Sequence, residues 1–409
     1  MVDGTLGWIK EWAGRIQLTP LEKRSKIKKI VHMAEETSTD DTALELTFRD
    51  DDHLSDLVRQ RAYLDYFCLC AKSSRWLRWL EDKGLLFGLF DPNVQLTESE
   101  KSLAGWFAKR FVSSSAEIGL SYGRKRALLP NPQLWNNVAW ELAHGKELPS
   151  PTSLAMWLAM LINSSAMKGV DLSQLSYILD RLRREEYFQS ALILFEFLSS
   201  PRMELKPHVI FPPGMKTEGV DTAITLAGEI YNLDRAWKIT FLPNLAYFAH
   251  DLASMLSSQL GKAVLYLDAV GKFGPGWDQL SWGLSAIEEH EQDRHIDGYE
   301  KIVHYIRDVI DYLLTNEPSY AESLWRQWAA SNILIFQRLS VHAVRISPQM
   351  ANDDKLRWLL EHEWLYKYGL KHEIFMLLRD VLPSASKEIQ EEVVRSALRG
   401  PAAEEVQKS

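Results

Sequence analysis

A phosphate-binding loop would be the clearest sign of nucleotide chemistry in this chain. Such a loop needs glycine backbone N–H groups that cradle the phosphates, followed by Gly-Lys-Ser or Gly-Lys-Thr. The segment Gly271-Lys-Phe-Gly-Pro-Gly276 has glycines and a lysine, but it lacks that ending. Its proline also removes one backbone N–H donor. We therefore interpret the segment as a turn between helices and predict no nucleotide site there.

Two histidines near residue 290 come closest to a metal-binding pattern. The stretch His290-Glu-Gln-Asp-Arg-His295 has the residue types of a zinc-protease helix. In such a helix the two histidines lie four residues apart and share one face, whereas these two lie five apart and diverge. The spacing favours a polar helix end or loop, and we predict no metal ligand in it.

Nucleophiles and paired acids give no stronger signal. The two cysteines, Cys68 and Cys70, lie in or beside an apolar stretch, which is typical of buried structural thiols, and no Gly-x-Ser-x-Gly pattern is present. Asp50-Asp-Asp52 lies in a charged connector and is explained by a solvated turn. We therefore predict that the chain is not an enzyme, with no catalytic residue, cofactor-binding residue or metal ligand.

Composition narrows the class of protein further. The 409 residues are 46% apolar and 25% charged, which is typical of a soluble globular protein. The 47 basic and 55 acidic side chains leave a net charge of −8, so no global field attracts nucleic acid or an anionic membrane. No apolar run approaches the roughly 20 residues of a membrane span. We expect a cytoplasmic protein without membrane contact, and the low cysteine content agrees with a reducing compartment.

Local basic clusters leave one alternative open. They comprise Lys23, Arg24, Lys26, Lys28 and Lys29, then Arg124-Lys-Arg126, then Arg181, Arg183 and Arg184. Each cluster adjoins an apolar stripe or a turn and is diluted by nearby acids, which favours solvent-facing helix surface. Nucleic-acid binding by a helical-repeat protein remains the alternative function.

Helical periodicity dominates the chain, and several helix starts are visible. Thr19-Pro20-Leu21-Glu22 and the pair Thr97 and Glu100 have the form of capping boxes, and Asp171 with Gln174 suggests a third. The apolar stripes that follow these three starts are Ile27, Ile30, Val31 and Ala34; Leu103, Trp106 and Phe107; and Leu175, Ile178, Leu179 and Leu182. Further helical periods cover residues 187–198, 299–314, 318–330, 334–346, 355–365, 372–382 and 387–398.

These patterns predict an all-α fold, and we expect an irregular α-solenoid of antiparallel helix pairs in the HEAT-like class. Strand signals are scarce: residues 208–211 lie between prolines, and residues 263–270 are compatible with helix or strand. We expect no sheet. Proline- and glycine-rich punctuation suggests N-terminal repeats over residues 1–204, a connector with short helices over 205–276, and C-terminal repeats over 277–409.

An ordered series of segments resembles the helical-repeat regions of bacterial anti-phage proteins that carry a sirtuin-like NADase or a STAND-type NTPase. The matching segments are Trp76-Leu-Arg-Trp79-Leu with Gly84 and Phe90-Asp91-Pro92, the segment from Ala191 to Arg202 with Leu205, the segment from Ser285 to Asp293, Arg307-Asp308, the segment from Phe336 to Ala343, and Lys371-His372-Glu373 with a closing helix before Gly400. The sirtuin-like nucleotide site and the Walker motif of the longer relatives are absent. The chain is therefore expected to be the helical part of a longer protein or a stand-alone relative.

The resemblance implies a non-enzymatic sensor or scaffold module that binds a phage protein or regulates an effector. Within it we predict a structural polar network of Glu288, His290, Glu291, Asp293, Arg307 and Arg338. The carboxylates would satisfy backbone amides at a turn, and the two arginines would supply charge-assisted partners. Trp325, Trp328 and Trp358 are predicted as packing core of one C-terminal helical layer.

Overall fold

Almost every regular element among the residues that the structure describes is a helix. The computed structural model describes residues 20–37, 44–113, 129–207, 220–274, 277–293, 296 and 298–401. The predicted all-α class is confirmed, while the solenoid arrangement stays a prediction. The chain divides into two compact units, Met1–Ala191 and Leu192–Ser409.

The described part of the first unit consists of helices and short connections. Its helices are α1 (Pro20–Thr37), α2 (Phe48–Arg59), α3 (Arg61–Cys70), α4 (Trp76–Asp82), α5 (Glu98–Phe111), α6 (Pro132–His144), α7 (Pro151–Asn163), α8 (Ser173–Arg184) and the start of α9 (Phe188–Leu198), with a 3-10 turn at Phe87–Phe90. Helix α3 packs against α1, α2 and α5, and α6 packs against α5 and α8.

The described part of the second unit contains two short strand pairs besides its helices. Its elements are β1 (Pro201–Pro207), β2 (Val220–Leu226), α10 (Ile230–Ala236), a π-helical turn (Trp237–Phe241), a 3-10 turn (Leu242–Asn244), α11 (Leu245–Ala269), β3 (Phe273–Gly274), β4 (Trp277–Asp278), α12 (Gln279–Trp282), a 3-10 turn (Glu291–Asp293), α13 (Lys301–Asn316), α14 (Pro318–Ala329), α15 (Leu334–Ile346), α16 (Asn352–Glu361), α17 (Lys371–Val381) and α18 (Lys387–Arg399), with 3-10 turns at Trp364–Tyr366 and Leu382–Ser384. Helix α13 packs against α11 and α14, and α15 packs against α14 and α17.

The predicted capping box at α5 is confirmed. The Glu100 N–H donates to Thr97 Oγ1 at 3.4 Å, and the Thr97 N–H donates to Glu100 Oε2 at 2.8 Å. Helix α8 begins at Ser173, and Asp171 accepts from the Ser173 N–H at 3.1 Å. Helix α1 begins at Pro20, and Thr19 lies outside the described residues.

The predicted apolar stripes face the core. Every member of the three stripes after these helix starts is buried, and most are less than 3% exposed. Because each stripe recurs at intervals of three and four residues, its side chains cover one side of the helix and leave the polar side to solvent. The sequence therefore indicates correctly which face of α1, α5 and α8 packs inward.

The expectation that no sheet forms is wrong. Strands β1 and β2 pair antiparallel over seven positions, from Pro201 opposite Leu226 to Pro207 opposite Val220. Polar and apolar residues alternate from Arg202 to Leu205, and β2 is rich in β-branched residues, two features that favour strands. Residues 208–211, the predicted strand signal, lie outside the described residues, and residues 263–269 belong to α11.

The segment assigned by sequence to a connector contains the 25-residue helix α11. Eleven of its residues are buried, at spacings that keep them on one side of the helix. Among the described residues, no helix combines the length and the apolar character that crossing a membrane requires.

Candidate functional site

The predicted polar residues near position 290 lie where the chain turns between α12 and α13. Asp293 is 5% exposed, and its carboxylate accepts from the Ser285 N–H at 3.0 and 3.1 Å and from the Ala286 N–H at 3.2 Å. His290 Nδ1 accepts from the Gln292 N–H at 3.3 Å. Glu291 is exposed at the start of the 3-10 turn. Asp293 thus satisfies backbone donors of a turn, as its sequence position suggests.

Arg338 forms a buried ion pair beneath that turn. Its side chain is 4% exposed, and Nε and Nη2 lie 2.9 and 2.8 Å from Glu373 Oε1. Its Nη1 donates to the carbonyl oxygens of Ser281 at 2.7 Å and Leu284 at 3.0 Å. One guanidinium therefore connects α15 to α17 and to the backbone on both sides of Trp282.

Glu288 lies between two helices and has a separate set of partners. Its Oε1 lies 2.9 Å from His372 Nε2 on α17, and its Oε2 lies 3.7 Å from Arg345 Nη2 on α15. Burial alone would raise the pKa of Glu288, but the hydrogen bond from His372 and the charge of Arg345 outweigh it and lower that pKa. Arg345 also donates to Asp380 at 2.9 Å.

Arg307 pairs with its neighbour in sequence. Its Nη2 lies 2.6 Å from Asp308 Oδ1 and 4.0 Å from Glu289, and Asp308 Oδ2 accepts from the Trp237 indole N–H at 2.9 Å. The six predicted network residues are therefore distributed over several distinct contacts. The carboxylates that the two arginines meet are Asp308 and Glu289 for Arg307 and Glu373 for Arg338.

The three predicted core tryptophans are buried in the C-terminal helices. Trp325 is 1%, Trp328 3% and Trp358 6% exposed. The rings of Trp325 and Trp358 meet edge to face with centroids 5.8 Å apart, and Trp328 stacks on Phe336 at 6.2 Å. Aromatic contacts of this kind join α14 to α15 and α16.

The predicted buried thiol Cys68 and the predicted surface residue Arg181 can both be compared with the structure. Burial raises the pKa of Cys68 to about 12, which disfavours the nucleophilic thiolate at neutral pH. Arg181 is not the solvent-facing residue that its basic cluster suggests: it is 5% exposed, pairs with Glu185 at 2.8 Å and donates to the Leu142 carbonyl oxygen at 3.0 Å. Residues 124–126 lie outside the described residues.

Trp282 is a large aromatic side chain that is exposed at the surface of this region. It is 74% exposed at the end of α12, although the sequence places it in an apolar segment. The buried Asp278 caps this short helix, accepting from the Ser281 N–H at 2.6 Å and the Ser281 hydroxyl at 2.8 Å. Arg338 holds the carbonyl groups before and after it.

A charged cleft in the second unit is the feature that sequence reasoning missed. It has a volume of about 390 Å³ and lies between the segment around residues 234–242 and one face of α13, with Glu289 at its edge. The α13 face presents Lys301, His304, Tyr305, Asp308 and Asp311, whose spacings of three and four residues place them on adjacent turns. Volumes of this size are typical of small-molecule sites.

The carboxylate of Asp234 is shared between two lysine ammonium groups in the cleft. Asp234 Oδ2 lies 2.8 Å from Lys238 Nζ, and its Oδ1 lies 3.9 Å from Lys301 Nζ. The Lys301 side chain is 17% exposed, so its ammonium group has limited access to water. Lys301 is thus weakly neutralised compared with Arg307, whose partner Asp308 lies at 2.6 Å.

Two buried polar atoms beside these charges have no hydrogen-bond partner among the described residues: Tyr305 Oη and His304 Nε2. Tyr305 is 1% exposed and stacks on Trp237 with ring centroids 4.6 Å apart. Burial, with the charges of Asp234 and Asp308, raises the pKa of Tyr305, so its hydroxyl stays protonated. Burial and the cations Arg307 and Lys301 lower the pKa of His304 to about 4, so its ring is neutral at pH 7.

The helical periodicity of α13 could have indicated this face, because a lysine, a histidine and two aspartates interrupt its apolar pattern. The opposing wall could not have been found in the same way, since Asp234 and Trp237 lie more than 60 residues earlier in the chain. Within the described part of the chain, no group of three or more His, Cys, Asp or Glu side chains is arranged to hold a metal ion.

Compared with known proteins, the chain matches no protein-family model, no curated protein and no solved structure. The function must therefore be inferred from the side-chain geometry of the second unit and from the sequence resemblance.

Proposed function

We propose that this chain is a non-enzymatic helical module of a bacterial anti-phage defence system, which acts by binding a phage protein or an effector protein. Exposed Trp282 is the observation that carries the proposal. Tryptophan is enriched in the energetic centres of protein interfaces, because it buries a large apolar area at a small cost in side-chain entropy. A tryptophan that is 74% exposed has most of that area available for a partner.

The surroundings of Trp282 support a binding role. Asp278 fixes the start of α12, Arg338 holds the backbone on both sides of the tryptophan, and Asp293 holds the following turn. A fixed backbone means that little conformational freedom is lost when a partner binds. The same contacts engage Asp293 and Arg338, two of the charged residues that the sequence singles out here, which favours positioning over catalysis.

The test is protection of a bacterial host against a panel of phages, with the chain expressed together with the genes adjacent to it in its source genome. We expect the wild-type chain to reduce plaque formation and Trp282→Ala to lose most of that protection. Truncating an interface tryptophan of this kind costs about 2 kcal/mol or more of binding, or roughly thirtyfold in affinity. Because Trp282 is exposed, the melting temperature should stay close to wild type.

Trp140→Ala is the matched control, since Trp140 is 54% exposed and lies in the first unit. It should protect as well as wild type at the same protein level. If Trp282→Ala protects equally well, Trp282 is not the contact. If the wild-type chain protects against no phage, the defence role is wrong, and a salt-dependent oligonucleotide shift would then support the nucleic-acid alternative.

A second prediction concerns chemistry. The purified chain should turn over neither NAD nor ATP, because its glycine-containing turn lacks the residues of a phosphate cradle. Turnover is measured by nucleotide chromatography after repeated purification. Activity that survives repurification and is abolished by a single substitution in this chain would contradict the prediction.

A further inference from the structure

We propose that the cleft between residues 234–242 and helix α13 binds a small zwitterion of net positive charge, of which free L-arginine and L-lysine are the simplest examples. This site is independent of the exposed Trp282 and of any protein partner. The unpartnered polar atoms in the cleft and the arrangement of its charges support this assignment.

Tyr305 Oη is the first indication of a ligand. The side chain is almost completely buried, yet its hydroxyl has no hydrogen-bond partner among the described residues. Buried polar atoms are nearly always hydrogen-bonded in folded proteins, and an exception calls for an explanation such as a bound ligand, ion or water. Tyr305 lines the cleft together with Asp308, which follows it by three residues on α13.

The His304 end of the cleft favours an anionic group. Lys301 and Arg307 lie three residues before and three residues after His304, so all three project from neighbouring turns of α13. Lys301 has Asp234 only at 3.9 Å, and Asp234 is already engaged with Lys238 at 2.8 Å. A ligand carboxylate here would give the Lys301 ammonium group a second ionic partner. It would also accept hydrogen bonds from Tyr305 Oη and from the neutral imidazole of His304.

The opposite end favours a cation. Asp311 lies about 15 Å further along α13 than Lys301, given about 1.5 Å per residue. Its Oδ1 lies 2.9 Å from His342 Nε2, and its side chain is still 42% exposed, so a ligand cation would share this carboxylate with His342. Glu289, at the edge of the cleft, is 93% exposed and lies 4.0 Å from Arg307 Nη2, so it belongs to the end that holds Arg307. With Asp234 and Asp308 these make four carboxylates against the cations of Lys238, Lys301 and Arg307, so the cleft has a net charge of −1 while His304 is neutral. A multiply charged anion such as a polyphosphate is therefore disfavoured, and a ligand with one carboxylate and a distal cation matches both ends.

Isothermal titration of the whole chain with L-arginine and with L-lysine tests the proposal. We expect saturable binding at one site, with tighter binding than for L-glutamate, which lacks the distal cation, and for putrescine, which lacks the carboxylate. Tyr305→Phe should weaken binding about tenfold, because it removes one hydrogen bond to a charged group. Since that hydroxyl has no partner within the described protein, the unliganded variant should melt no lower than wild type.

Lys301→Met tests the anion end and should also weaken binding at least tenfold, whereas Lys387→Met, at an exposed lysine on α18, should leave it unchanged. Failure of Lys301→Met to fold would leave Tyr305→Phe as the deciding variant. The proposal is overturned if neither amino acid binds up to about 10 mM, a limit that corresponds to roughly 3 kcal/mol of binding free energy. It is equally overturned if Tyr305→Phe binds as tightly as wild type or if putrescine or L-glutamate binds as well.

Discussion

Glu288 shows how a single half-buried carboxylate can join two helices. It accepts from His372 on α17 and faces Arg345 on α15, and these partners hold its pKa below the ordinary value of 4.5 despite the opposing effect of burial. A carboxylate with a lowered pKa stabilises the folded state above its unfolded pKa, and that contribution is lost as the pH falls through the folded pKa. Glu288 should therefore contribute to stability at neutral pH and not in acid.

We predict that Glu288→Gln and Glu288→Ala lower the free energy of unfolding at pH 7 by about 1–2 kcal/mol, since each removes a charge-assisted hydrogen bond. Urea unfolding at a series of pH values measures this. The difference between wild type and Glu288→Gln should persist down to about pH 5 and shrink as the pH falls below 4.5.

Added zinc provides the control for this residue. If Glu288 has a structural role, zinc should not restore the melting temperature of Glu288→Ala, and wild type should bind no stoichiometric metal. A difference in unfolding free energy that grows in acid would show that the carboxylate does not act through its lowered pKa.

Sequence indicated which residues near position 290 are important but not which partners they have. Asp293 satisfies the amides of its own turn, which lies within eight residues, so local reasoning was sufficient. Glu288 and His372 are 84 residues apart, and Arg338 and Glu373 are 35 apart. Such pairs depend on how helices pack, and residue spacing along one chain carries no information about that packing.

At the scale of elements, the C-terminal helices are joined by large aromatic side chains. Trp325 on α14 meets Trp358 on α16, and Trp328 on α14 stacks on Phe336 of α15. Each ring fills the space between two helices, so its removal would leave a cavity that the helices can close only in part. The stability of this layer should therefore depend strongly on single rings.

We predict that Trp328→Ala lowers the free energy of unfolding by about 3–5 kcal/mol, the usual cost of truncating a buried aromatic residue. Hydrogen exchange should show the loss of protection mainly beyond residue 300, where α14 and its neighbours lie. Trp282→Ala removes the same side chain from an exposed position of the same unit and should leave exchange nearly unchanged.

Uniform loss of protection from residue 20 onward in Trp328→Ala would contradict this local effect. It would mean that the described chain unfolds as one cooperative body, and the repeat-type coupling expected of a solenoid would then have to be abandoned.

Elements were predictable where their signals are local. The capping box of α5 and the apolar stripes of α1, α5 and α8 were read from spacing alone, because the helix period fixes which side chains share a face. The β1–β2 pair was missed, since its two strands are separated by 12 residues rich in proline and glycine. Strand pairing over such a distance depends on register, and the short alternation in β1 gives a weak signal by itself.

Across the whole molecule, the division into two compact units predicts that each unit can lose stability separately. Each unit buries its own apolar core, with Trp157 at 1% exposure in the first and Trp325 at 1% in the second. Contacts confined to one unit stabilise that unit directly, so we expect a core substitution to act mainly on the unit that contains it.

Trp157→Ala, on α7, should therefore be the counterpart of Trp328→Ala. We predict that the free energy of unfolding of the first unit falls by about 3–5 kcal/mol, seen as faster hydrogen exchange before residue 192, while α13 to α18 keep their protection.

The pattern of hydrogen exchange within the first unit adds a further test. If protection falls most at α6 and α8 and least at α1, coupling runs between neighbouring helices, as the predicted solenoid requires. If α1 to α8 lose protection equally, the first unit is a single cooperative bundle, and the solenoid prediction fails there.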